Sequence, residues 1–299
     1  MFTAFFKRLL EAIKEDNYKI HGWEEVSLLK NPDGSYYPNP EFVERNIIPH
    51  VWNNIFEYGN MDLAYRIANT GYDVILCPAS NFYLDDAYDK DPLESGAYWS
   101  GFIRTRDTWT FAPYDMYKTT THTTYGREIR QEEYAGLEKI KPEARKNIIG
   151  LQAQLWSEEI KGRDVLEYRM FPKMLGFIES AWAKERQWET IEDKIRREKM
   201  MDLQWNIFAN TLAQKELPRL SYLNGGYNYR IPLPGAIIEN GKLLANVEFP
   251  GLELRYTTDG SEPNINSIKF ESPITVSGEV RMKAFDTSGN SSRTVVLNN

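Results

Sequence analysis

Four short apolar runs alternate along this chain with segments of helical period, and that alternation most limits how it can fold. The runs are YKIHGW (18–23), NIIPHVW (46–52), YDVILCPA (72–79) and NIIGLQAQLW (147–156). Leu63, Ile67 and Ala68 mark a helix between the second and third, stopped by Gly71. FPKMLGFIESAWA (171–183) and a charged–apolar stretch from about Trp188 to Ala213 predict helices after the fourth. Phe2, Phe5, Phe6, Leu9, Leu10 and Ile13 place an amphipathic helix at the start. Strands that alternate with helices read as βα units and a parallel sheet. The expectation is an α/β domain with four βα units.

Two segments fall outside that pattern. Residues 86–146 read as a long aromatic insertion after the third strand, with a helix at REIRQEEYAGLEKI (127–140). From Leu217 the chain turns rich in Pro and Gly, then gives short alternating runs: LELRYTT, SPITV, VRMKAF and TVVL. The turn clusters DGSEPN and DTSGNS separate them, which predicts a small antiparallel β-sandwich over 217–299 behind an α/β domain over 1–216.

Composition excludes several functions. A net charge of −7 with no Lys/Arg cluster argues against nucleic acid as a partner. The single cysteine, Cys77, permits no intrachain disulfide and reads as a small buried hydrophobe. His21, His50 and His122 share no ligand-like spacing, so no metal is expected. No apolar stretch is long enough to span a membrane, and Lys7 and Arg8 interrupt the first apolar run, which makes MFTAFFKRLLEAI a poor signal peptide.

The aromatic content is high at 13%, with 8 Trp and 18 Tyr, and its placement says more than its amount. Three of the four strands end on Trp23, Trp52 and Trp156, and the other runs into SNFYLDD, which brings Tyr83 and Asp85. Ligands bind at the carboxyl ends of parallel strands, where side chains and loops converge. Period two puts Tyr83 and Asp85 on one side of an extended segment, and likewise Trp156 and Glu158. Gln152 and Gln154 share one face of the fourth run, with Leu151, Ala153 and Leu155 on the other. Taken singly, each Trp could be core, Asp85 a turn residue or cap, and Glu158 a solvated charge. Together they favour a sugar-sized pocket, since sugar C–H faces pack on aromatic planes and hydroxyls need planar polar partners.

HGWEE (21–25), SNFYLD (80–85), GLQAQLWSE (150–158) and FPKMLGFIESAWA resemble the second half of the (β/α)₈ barrel of family 20 glycoside hydrolases, the β-N-acetylhexosaminidases. The tail, from YRIPLPG through RYTTDGSEPN, is similar to the small β domain that follows that barrel in many bacterial members. The resemblance implies a substrate, a glycan ending in N-acetylhexosamine, and neither cofactor nor metal. It implies that Trp23, Trp52 and Trp156 wall the sugar and its acetamido group. Tyr83 would hydrogen-bond the acetamido oxygen as it attacks the anomeric carbon, and Asp85 and Glu158 would hold hydroxyls.

One departure matters. The family's Asp-Glu pair follows a Gly-Gly turn at the fourth barrel strand; its Glu protonates the leaving oxygen and its Asp orients the acetamido nucleophile. The acidic doublets here, in WEEV, LDDA, QEEY and SEEI, do not follow such a turn, and the family's sugar-clamping arginine is also missing. A closed barrel needs eight strands. The expectation is therefore the C-terminal half of a TIM barrel (strands five to eight) plus a β-sandwich, inactive alone, completed by a missing N-terminal half or by dimerisation. A non-catalytic glycan-binding protein and a purely structural half-barrel are the alternatives. Members of the family are usually exported, and any signal peptide would lie upstream of this chain.

Overall fold

A computed structural model describes residues 2–16, 18–43 and 45–298. The chain divides into two compact units, 1–159 with 173–185, and 160–172 with 186–299.

The first unit opens on helix α1 (Phe2–Ala12). Strand β1 (Ile20–Trp23) follows, then an antiparallel hairpin of β2 (Leu28–Lys30) and β3 (Tyr36–Pro38). Next come β4 (Ile47–Val51), α2 (Leu63–Asn69) and β5 (Val74–Leu76). The short helices α3 (Ala79–Phe82) and α4 (Thr105–Trp109) precede β6 (Ile148–Leu151). α5 (Arg163–Met170) belongs to the second unit, and α6 (Lys173–Trp182) returns to the first.

Strands β1, β4, β5 and β6 form one parallel sheet in that order, the four strands expected from the apolar runs. Among the described residues, β1 and β6 are its edges. Pairing sets Trp23 opposite His50, and His50 opposite Ile75. Period two divides the side chains into faces. One face carries Ile47, Val51, Val74 and Leu76 into a core with Phe6 and Leu10 of α1 and Leu63, Ile67 and Ala68 of α2. Phe5 stands 61% exposed, so only one edge of the α1 apolar stripe is buried. Gly71, at φ +107°, ends the α2 turn in the left-handed region where a side chain would be strained.

Helices α4 and α6 touch backbone to side chain. A Cβ at Gly176 would lie 2.3 Å from Thr108 Oγ1 and 2.7 Å from the Thr105 carbonyl, so only glycine permits this approach. Ser180 Oγ donates to the carbonyls of Thr108 and Trp109, satisfying groups left open at the end of α4.

The insertion departs from expectation. No α-helix forms over 127–140; a single 3₁₀ turn spans Gln131–Tyr134. Glu133 folds back to accept the Arg130 N–H at 2.9 Å and also pairs with Arg127, while Gly136 takes φ +86°. The local polar bonds close the turn, and the glycine redirects the chain after it.

In the second unit, α7 (Lys194–Thr211) starts at an Asp193 cap that accepts the Arg196 N–H at 2.8 Å. The expected helix from Trp188 thus begins later, after a 3₁₀ turn at Gln187–Thr190. One π turn (Leu212–Glu216) joins α7 to α8 (Leu217–Leu220). Strands β7 (Gly235–Glu239), β8 (Lys242–Asn246) and β9 (Glu253–Thr257) follow, then β10 (Ile268–Lys269), β11 (Ile274–Thr275), β12 (Glu279–Phe285) and β13 (Val295–Asn298). They make two antiparallel sheets, β10-β9-β12-β13 and β11-β8-β7. Leu243, Phe249, Val280, Met282 and Ala284 are fully buried in this unit. The Trp205 ring of α7 meets Phe249 at 6.2 Å. The turn after β12 is built on Asp286, whose Oδ1 accepts the N–H groups of Ser288 and Asn290 at 2.9 Å each, while Tyr229 donates to Oδ2. Within the same unit, α5 is tied down by Glu167, which accepts the Asn228 N–H at 2.7 Å, and by the Phe171 carbonyl, which accepts from Arg230 N.

Candidate functional site

Each strand of the parallel sheet delivers a side chain to its carboxyl end, and local hydrogen bonds fix where that side chain goes. β1 ends at Trp23 and passes into a 3₁₀ turn, Glu24–Ser27. Glu24 is buried, and its Oε2 accepts the backbone N–H of Trp52 at 2.7 Å and of Asn53 at 3.2 Å. The carboxyl at the end of one strand therefore anchors the exit of the next. Burial pushes its pKa up to about 8, against the pull of the two N–H donors.

β5 leads through α3 to Tyr83. The Leu84 N–H bonds to the Gln154 carbonyl at 2.8 Å and the Gln154 N–H to the Phe82 carbonyl at 2.9 Å, extending the sheet beyond β6 by a single bridge between Tyr83 and Gln154. Asp85, 5% exposed, accepts the Trp156 N–H through Oδ1 at 3.0 Å. Burial raises the Tyr83 hydroxyl well above its ordinary value, so it stays a neutral donor at physiological pH.

The rings form a continuous arc. Trp23 and Trp156 lie 5.9 Å apart between centroids, Trp156 and Tyr83 5.9 Å, Tyr83 and Trp99 5.7 Å, and Trp99 and Trp52 6.1 Å. Trp23, Trp52, Tyr83, Asp85 and Trp156, named from the sequence, are thus brought together. Glu158 stands two residues beyond Trp156 in an exposed turn and takes no part in these contacts. Trp99 went unrecognised in the sequence because it sits in the insertion, away from any strand end. Glu24 went unrecognised as well; its doublet with Glu25 looks like an ordinary solvated pair.

A second layer locks the loops that carry these rings. Lys173, fully buried at the start of α6, donates from Nζ to the Leu84 carbonyl at 3.0 Å and to the Asp86 carbonyl, with its ammonium 3.9 Å from the Tyr88 ring centroid. The two carbonyls flank Asp85. Asp86 in turn accepts from the hydroxyl of Ser100, the residue after Trp99. Burial pushes the Asp86 carboxyl up to about 7. The Tyr83–Asp85 loop and the Trp99 loop are therefore fastened to each other and to α6.

The sheet's other face is mixed, with Ile75 opposite His50 and polar side chains beside them. His50 bonds through Nδ1 to Gln152 Oε1 at 2.5 Å and through Nε2 to His21 Nδ1 at 2.8 Å. With the amide oxygen accepting, His50 carries its proton on Nδ1 and accepts from His21. Burial lowers the His50 pKa, which favours the neutral ring this chain of bonds requires. The sequence spacing of the two histidines gave no hint of this contact; strand register creates it. Cys77 is buried, its thiol pushed up to about 12, and so is an inert neutral group at physiological pH. Among the described residues no group of three or more His, Cys, Asp or Glu side chains could hold a metal ion. No helix among them is long and apolar enough to cross a membrane.

An aromatic arc beside a buried carboxylate and a neutral phenol suits a neutral ring bearing hydroxyls and an amide. Residues 1–185 match the model for the catalytic domain of glycosyl hydrolase family 20, and residues 216–294 match the chitobiase/beta-hexosaminidase C-terminal domain. An N,N'-diacetylchitobiase of Vibrio harveyi is 32% identical over 83% of this chain and 29% of its own length. A beta-hexosaminidase of Vibrio vulnificus is 30% identical over 70% of this chain and 26% of its own. The solved exo beta-N-acetylglucosaminidase of Vibrio harveyi, in complex with N-acetylglucosamine, aligns with TM-score 0.42 and 23% identity over 68% of this chain and 26% of that one. This chain thus spans under a third of the length of these relatives. The matched residues hold the parallel sheet and its aromatic rim, and on that match the chain belongs to glycosyl hydrolase family 20.

Proposed function

We propose that this chain forms part of the sugar pocket of a β-N-acetylhexosaminidase that removes terminal N-acetylhexosamine by a retaining, substrate-assisted route. The continuous arc from Trp23 through Trp156, Tyr83 and Trp99 to Trp52 carries this reading. In it, the tryptophans wall the terminal sugar and its acetamido group. The neutral Tyr83 hydroxyl donates to the acetamido oxygen as that oxygen attacks the anomeric carbon. Asp85 accepts from sugar hydroxyls, and Glu158 holds hydroxyls once a sugar is bound.

The same reading makes residues 1–216 the second half of the family barrel, strands five to eight, with 217–299 as the small β domain. Two sheet edges unpaired among the described residues, and the His21–His50–Gln152 hydrogen bonds on the face away from the core, support it. The acid/base pair lies outside this sequence, and its partner is the other half of the barrel or a second copy. Two measurements test the proposal. N-acetylglucosamine should change the tryptophan fluorescence of the purified chain, and Trp156→Ala should abolish the response. The chain alone should release no chromophore from a nitrophenyl N-acetylglucosaminide above blank. Turnover by the isolated chain, or silence of the wild-type fluorescence, defeats the reading.

A further inference from the structure

Three strands of the parallel sheet meet at one peptide, that of Trp52. Its N–H donates to Glu24 Oε2 at 2.7 Å, from the exit of β1, and its carbonyl accepts the Ala79 N–H at 2.9 Å, from the exit of β5. The next N–H, of Asn53, donates to the same Glu24 oxygen at 3.2 Å. The Trp52 backbone is therefore gripped from both neighbouring strands, while Trp52 packs against the buried cluster of Ala79, Tyr83 and Ile103. Its ring meets Trp99 at 6.1 Å and closes one end of the aromatic arc.

Of the doublet Glu24–Glu25 only the first turns inward; Glu24 is buried and Glu25 exposed. The local fold explains which. Gly22 leaves room for Val26, whose Cγ1 stands 2.5 Å from where a Cβ would be, so the turn Glu24–Ser27 folds tightly back against β1. The Ser27 hydroxyl closes that turn on the Glu24 carbonyl at 2.8 Å. The Glu24 carboxyl is thereby aimed across to the exit of β4. Its nearness to the groups beyond shows in their titration. After burial, the larger cause, the Glu24 charge adds to the upward push on the Cys77 thiol and on the Tyr83 hydroxyl. A carboxyl is costly to bury for stability alone, and its placement on the amide of a pocket wall gives it a second use.

We propose that Glu24 is a positioning residue of the sugar pocket: its grip on the Trp52 and Asn53 amides sets the Trp52 ring against Trp99, and so governs sugar affinity without touching the sugar. The proposal rests on the pocket reading above and adds a residue that the arc itself does not contain. Near-UV circular dichroism and calorimetric titration with N-acetylglucosamine test it on the full chain, at a temperature where far-UV spectra show each variant folded. Glu24→Ala removes the acceptor; its near-UV tryptophan bands should change and its sugar affinity fall at least about tenfold. Should that variant not fold, Glu24→Asp, one methylene short of both amides, takes its place with the same outcomes expected. Glu24→Gln keeps an acceptor oxygen and should retain the wild-type bands and an affinity within about threefold. The spectral effect of Glu24→Ala should disappear in a Trp52→Phe background, which assigns it to that ring. Unaltered bands in Glu24→Ala, or bands that change equally with and without Trp52, overturn the proposal. So does wild-type affinity in Glu24→Ala, or a Glu24→Gln variant that loses as much. If the wild type binds no sugar while the bands respond as expected, the positioning of Trp52 by Glu24 stands and the pocket reading alone falls.

Discussion

The backbone N–H of Trp156 donates to Asp85 Oδ1 at 3.0 Å, tying the end of β6 to the loop that follows β5. Asp85 therefore holds Trp156 in position, and the proposed pocket would give it a second task, accepting from sugar hydroxyls. Substitutions can separate them. Asp85→Ala leaves the part-buried Trp156 N–H without this acceptor and should cost about 1 kcal/mol of stability. Asp85→Asn keeps an oxygen acceptor and should cost less, yet weaken N-acetylglucosamine binding through loss of the charged acceptor. Urea titrations and sugar titrations on both variants check this; equal stability losses would show that the hydrogen bond does not matter.

Glu24 makes a prediction about pH. Its folded-state pKa of about 8 stands above the ordinary 4.5, so folding favours the protonated form. The stability is fully present below about pH 4.5 and is lost as pH rises through about 8. Glu24→Gln keeps an oxygen for the Trp52 N–H and removes the titration. Its melting temperature should fall less between pH 5 and 8.5 than that of the wild type, and exceed it at the upper end. Parallel profiles for the two proteins would sink this assignment.

Lys173 acts on the pocket only through the loops it fastens. Lys173→Met removes the donor to the Leu84 and Asp86 carbonyls and should destabilise by about 3 kcal/mol. Because those carbonyls flank Asp85, sugar affinity should fall even at temperatures where the variant is fully folded. Unchanged affinity in the folded variant would reduce Lys173 to a core residue.

Gly176→Ala is the matching control for helix packing. The added methyl would collide with Thr108 and with the Thr105 carbonyl, forcing α4 and α6 apart at about 1–3 kcal/mol. Denaturant midpoints measure it, and a midpoint equal to wild type would mean the helices can separate freely.

Much of the parallel sheet could be read from the chain, because three of the apolar runs end on a rim Trp, the other leads to Tyr83, and each is followed by a helix or a loop. The aromatic rim was legible for the same reason, since Trp23, Trp52 and Trp156 mark strand ends. What sequence could not supply came from contacts between distant segments. Trp99 joins the arc because Ser100 is held by Asp86, and nothing near Trp99 in sequence signals that. Glu24 is buried because a backbone N–H two strands of sequence away needs it. The false helix at 127–140 had acceptable composition, but Glu133 closed a local turn instead. The β7–β8 hairpin was readable and missed: Asn240 and Gly241 both take positive φ, the signature of a tight two-residue turn.

The chain passes from the first unit to the second, back, and across again, since 160–172 and 173–185 belong to different units. The two units are therefore interlaced in covalent order, and no single break releases both intact. A break after residue 159 strips Lys173 from the loop it fastens. A break after 185 keeps that lysine but orphans α5, whose Glu167 and Phe171 find their partners at Asn228 and Arg230. Gene splitting after 159 should yield pieces that are stable only when they meet again, and splitting after 185 should leave the second unit unstable without its partner piece.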